Sequence, residues 1–146
     1  MTRPPEDATA APALPDLADH ARAGCYPLAP LHLAALRDAA HRQRYHLAEI
    51  DCEGCTDKTQ LLALTARQMR LPEYFGRNWD ALYDCLTDPA ALPIAPGHVL
   101  LFTRTQTLRQ HAPEALATLR EVCADAAEEA RAQMPPRPLW TFLLAD

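Results

Sequence analysis

Two aspartates, Asp80 and Asp84, stand one helical turn apart in the stretch 71–89, LPEYFGRNWDALYDCLTDP. Paired carboxylates can act as acid and base, but only where a cleft separates their affinities for protons. On an open helix face they form a fixed negative patch instead. With Asn78 as N-cap and a helix running to about Thr87, Trp79, Leu82, Tyr83 and Leu86 share one apolar stripe, and Asp80, Asp84 and Thr87 fall on the other side. Like charges at this spacing cost an isolated helix about 0.2–0.5 kcal/mol. Only Asp80, in the first turn, is offset by the helix dipole. Asp84 has no local compensation, which points to a role outside the fold.

Cys52-x-x-Cys55 is the other candidate for chemistry. A zinc site needs two further ligands at recognisable spacing, and His41 and His46 both precede the pair, with a predicted strand between. A redox site must stabilise a thiolate, which Glu53 opposes. The pair reads as an incidental turn, with a metal or redox role as the alternative. The six histidines are dispersed, there is no G-x-S-x-G or phosphate-binding glycine loop, and only four glycines are present. Neither an enzyme nor a cofactor is expected.

At 146 residues, with 49% hydrophobic and 23% charged side chains, the chain is long enough for one domain with a real core. A net charge of -5 argues against a protein that grips nucleic acid by neutralising phosphates, and it permits a basic partner. The opening MTRPPEDATAAPALPDL carries acids and prolines where a secretory leader needs a basic end and an apolar run. No apolar stretch is long enough to span a membrane. The expectation is a cytoplasmic monomer whose five cysteines are reduced thiols.

The elements that must position these residues follow from periodicity. Residues 1–22, rich in Ala, Pro and Asp, read as a disordered tail, and 23–44 as an N-terminal extension. Within that extension, 25–30 is a short extended segment that Pro27 and Pro30 demote to an edge or a plain loop, and 31–44 is an amphipathic helix. Residues 45–146 form the main domain. Strands are predicted at 45–51, 98–103 and 139–144. Thr56 or Asp57 caps a helix ending near Leu71, and a brief helix at 106–110 precedes a longer one that starts at Pro113 and runs to about Ala132. The alternation implies an α/β fold with a small parallel sheet and helices packed on it. On the long helix, Leu116, Leu119, Cys123, Ala126, Ala127 and Ala130 share one side, with Glu114, Glu121, Asp125 and Glu128 opposite. Taken alone, that second acidic face reads as an ordinary solvated surface, and the presence of two such faces in one small domain weakens that reading. Ahead of the 79–87 helix, Phe75 is expected to be buried, and Tyr74 is the kind of rigid amphipathic anchor that interfaces favour.

Across residues 71–88 the pattern of proline, acid, Tyr, aromatic, Gly, Asn, then Asp-Ala-Leu, aromatic, Asp-Cys-Leu resembles the barstar family of intracellular ribonuclease inhibitors, and it extends more loosely from Tyr45 to Leu144. The resemblance implies a barstar-like sheet of about three strands, no catalysis, no cofactor, and a partner that is a basic extracellular or toxin ribonuclease, bound without nucleic acid or membrane. By motif position Asp84 matches the aspartate that occupies the enzyme's phosphate site, Asp80 the second inhibitory aspartate, and Tyr74 the tyrosine that packs on a catalytic histidine. Gly76 and Asn78 match neighbouring contact residues, and Tyr83 replaces a family Trp. Glu121 corresponds to a further contact glutamate, with Asp125 one turn later. The alternative is a barstar-like interaction module whose partner is not a nuclease.

Overall fold

The computed structural model describes residues 13–72 and 77–145. In chain order the elements are β1 (Cys25–Leu28), α1 (Leu33–Arg42), β2 (His46–Asp51), α2 (Lys58–Gln68), α3 (Trp79–Leu86), β3 (His98–Thr103), α4 (Gln106–His111), α5 (Pro113–Ala132) and β4 (Leu139–Leu144). Single 3-10 turns lie at His20–Arg22, Pro30–His32 and Pro89–Ala91. All strand pairs are parallel, in the order β1-β4-β3-β2. The architecture is thus the expected α/β sheet with helices, and it has a fourth strand.

That strand is the segment broken by Pro27. Gly24 and Leu28 accept hydrogen bonds from Thr141 and Ala145 through their carbonyls, so by alternation the backbone of Pro27 faces the open edge. Proline there leaves no outward N–H for another chain to pair with.

The apolar runs HVLLFT and LWTFLL are buried on both faces, as central parallel strands require. Leu100, Phe102, Leu139, Leu143 and Ile50 face a core completed by Leu61, Leu62, Leu82, Leu86, Leu116 and Leu119 from the helices. Val99, Leu101, Trp140 and Phe142 point the other way, where α1 covers them with Leu36 and Ala40.

Leu17 joins this second core at 1% exposure, and the Tyr45 hydroxyl donates to its carbonyl at 2.9 Å. Within the 1–22 stretch that composition reads as a disordered tail, one buried leucine and its bond to one tyrosine thus hold the backbone at Leu17 to the sheet. Residues 1–12 lie outside the described residues. Gly97 brings β3 close to the start of β2, since a Cβ there would sit 2.7 Å from the Tyr45 ring and 2.8 Å from Pro138. No helix among the described residues is long and apolar enough to cross a membrane.

Candidate protein-binding face

Helix α3 is held at both ends. At its start Asn78 is extended and its side chain accepts from the Ala81 amide at 2.7 Å, the N-cap that the sequence predicts. At its end the Arg137 Nη2 donates to the Leu86 carbonyl at 3.2 Å, and the Gln133 side chain donates to the carbonyl of Thr87. Both donors come from the segment between α5 and β4, and a cation suits a helix C-terminus. Arg137 is 8% exposed, and burial lowers its proton affinity while the charge of Asp88 opposes that shift.

The buried side of α3 is Leu82, Cys85 and Leu86, with Trp79 only half-buried against the core. Asp80 and Asp84 are exposed. Such a short helix, with its ends tied and its apolar side seated, presents its carboxylates with little freedom to lose on binding.

Helix α5 packs against α3. Trp79 shares a cavity with Glu114, Ala115 and Thr118 of α5, and Tyr83 shares another, of about 360 Å³, with Asp125, Glu128, Glu129 and Ala132. The two helices therefore run side by side in the same direction, and Glu121 sits between those levels on the same stripe of α5. Burial raises the proton affinity of the Tyr83 phenol, and the charges of Glu129, Asp125, Asp84 and Glu128 add to the shift. The same surroundings lift the Cys85 thiol, first through burial and then through Asp84 and Asp88. Negative potential is thus concentrated where α3 meets α5.

The structure places Asn78, Asp80, Tyr83 and Asp84 on α3 or its cap and Glu121 and Asp125 on α5, and it brings Tyr83, Asp84 and Asp125 together. Tyr74, Gly76 and Phe75 lie outside the described residues. Sequence reasoning missed Glu129 as a neighbour of Tyr83 and the seating of α3 by Gln133 and Arg137. Glu129 was legible as the i+4 neighbour of Asp125, whereas nothing local in MPPRP signals that its arginine reaches α3.

Cys52 and Cys55 lie in the turn between β2 and α2. Both thiols are buried and free, and burial pushes Cys52 up to about 12, helped by Cys55 and Asp51. Among the described residues no group of three His, Cys, Asp or Glu side chains is placed to hold a metal ion.

A family model described as Barstar (barnase inhibitor) matches residues 45–143, which run from the start of β2 almost to the end of β4. The chain belongs to the barstar family. The match includes α3, α5 and the buried Arg137 that joins them, and it leaves β1 and α1 outside. Among curated proteins none matches the chain.

Proposed function

We propose that this chain is a stoichiometric protein inhibitor of a ribonuclease, acting without catalysis or cofactor. The observation that carries the reading is the exposed pair Asp80 and Asp84 on a short, end-tied helix, backed by the carboxylates of α5 around Tyr83. A ribonuclease gathers cationic side chains to hold a phosphodiester and to stabilise the charge of its transition state. Rigid carboxylates imitate that phosphate and block entry, and the negative field raises the association rate at low salt. The family description supplies the inhibitor class. Asp84, Asp80 and Tyr74 are the assigned central contacts, Asn78, Gly76 and Tyr83 flank them, and Glu121 and Asp125 extend the surface. A cytoplasmic site of action, protecting the producing cell from a toxin, belongs to the same reading.

The test captures binding proteins from source cells on immobilised chain, with Asp84→Ala as control, and assays each captured protein for RNA cleavage with and without added inhibitor. A ribonuclease retained and silenced by the wild type, and bound at least about 2 kcal/mol more weakly by Asp84→Ala, is the expected result. Equal binding by the two proteins would remove the role given to Asp84. A captured partner that cuts no RNA would make the chain an interaction module for another target.

A further inference from the structure

Beside the acidic face lies a positive corner that the inhibitor reading does not use. A groove of about 290 Å³, between the C-terminal half of α2 and the residues entering α3, is lined by Ala63, Ala66, Leu71, Pro72 and two arginines, Arg67 and Arg77. Both arginines are exposed. Among the described residues neither forms an ion pair or a side-chain hydrogen bond; the paired arginines of the chain include Arg37 with Glu49 and Arg104 with Asp51 and Glu53.

Arg77 is costly where it stands. Its φ is +54°, the left-handed region that a side chain disfavours, and it directly precedes the Asn78 cap, where the α3 dipole opposes a cation. Three other arginines share a left-handed backbone: Arg44, Arg70 and Arg104. Arg44 and Arg70 follow the C-termini of α1 and α2, where the dipole favours positive charge, and Arg104 has its two carboxylates. Arg77 alone of the four has no repayment within the described fold. Arg67 lies in the last turn of α2 and suits its own helix, but it doubles the charge lining the groove.

We infer that Arg67 and Arg77 together receive an aspartate or glutamate side chain of the partner that meets the acidic face, so that this partner carries a carboxylate beside its basic cleft. The inference rests on the inhibitor reading and adds to it a rule of selection. Guanidinium groups clasp a carboxylate through paired hydrogen bonds, and the apolar floor of Ala63, Ala66, Leu71 and Pro72 suits the methylene stem of the incoming residue. A basic ribonuclease without that carboxylate meets unrelieved like-charge repulsion at this corner.

The sign of one substitution decides the matter. Arg77→Glu makes the inhibitor more acidic, so long-range attraction to a cationic ribonuclease alone would tighten binding. The inference requires the reverse: a Kd raised by about tenfold or more, chiefly through faster dissociation, and a larger loss when Arg67→Glu is added. Arg77→Gly guards against a folding artefact, because it relieves the backbone and is expected to be more stable than wild type to urea while binding less tightly. The probe is the RNA-cutting protein retained by the wild-type chain and lost by Asp84→Ala. Unchanged or tighter binding by Arg77→Glu overturns the inference while leaving the inhibitor reading intact. If the wild type retains no ribonuclease, the reading beneath fails and the inference falls with it.

Discussion

Acidification from pH 7 to pH 5 is expected to remove about 2 kcal/mol of folding stability through one side chain, His98. It is 1% exposed, and its Nε2–H donates to the Pro93 carbonyl at 2.7 Å, which assigns the neutral tautomer with Nδ1 unprotonated. Burial lowers its proton affinity to about 4 from an ordinary 6.5; the Pro93 bond opposes this, and the charges of Arg137 and His46 add to the lowering. His46, its register partner on β2, has its ring centroid 6.0 Å away and is itself shifted down by burial and by Arg70. A folded-state value below the unfolded one means that stability is complete above pH 6.5 and is lost as pH falls through the interval from 6.5 to about 4. Summed over that interval the loss approaches about 3 kcal/mol. The assay is urea unfolding of wild type and His98→Gln at a series of pH values, since glutamine can keep the donor to Pro93 without titrating. The wild type should lose more stability than the variant between pH 7 and pH 5. Parallel losses would refute the assignment of His98 as the acid-sensitive group. Asp51, whose carboxyl Arg104 holds below its ordinary range, stabilises the fold above that range and loses its share at lower pH than His98 does.

Arg137→Met should change global stability by less than about 1 kcal/mol, because removing a buried cation offsets the lost bond to Leu86. Amide exchange within α3 should nevertheless quicken; unchanged exchange would show that Arg137 does not seat the helix. Arg70→Gly should stabilise the fold by about 0.5–1 kcal/mol, since Arg70 ends α2 at φ +54° with the Leu71 amide bonded back to the Ala66 carbonyl, a geometry glycine adopts freely. A lower urea midpoint would contradict this. Cys52 and Cys123, both fully buried and pushed up to about 12, should react with a disulfide reagent at pH 8 only as fast as the protein unfolds. A rapid native-state reaction at either thiol would count against the burial described for it.

Much of the fold was legible in local pattern. The strand runs at 98–103 and 139–144, the Pro113 start of the long helix and the Asn78 cap were all readable because each depends on neighbours within one or two turns. The segment at 25–28 remained open between edge and loop, because Pro27 forbids a central strand and only pairing with β4 decides the rest. Leu17 was unreadable for a similar reason. Two leucines, Leu14 and Leu17, among Ala, Pro and Asp sustain no period, and the burial of Leu17 depends on the far side of the sheet.

At the candidate site, local pattern is enough to make α3 a short capped helix with Leu82 and Leu86 on one side and Asp80 and Asp84 on the other. Spacing and turn geometry dictate that much. Long-range packing put α5 alongside, with Asp125, Glu128 and Glu129 around Tyr83, and brought Arg137 to the end of the helix. It also set Arg67 and Arg77 along one groove. The neighbours that meet across α3 and α5 are distant in sequence, and packing on a shared sheet, not periodicity, brings their charges within reach of one another.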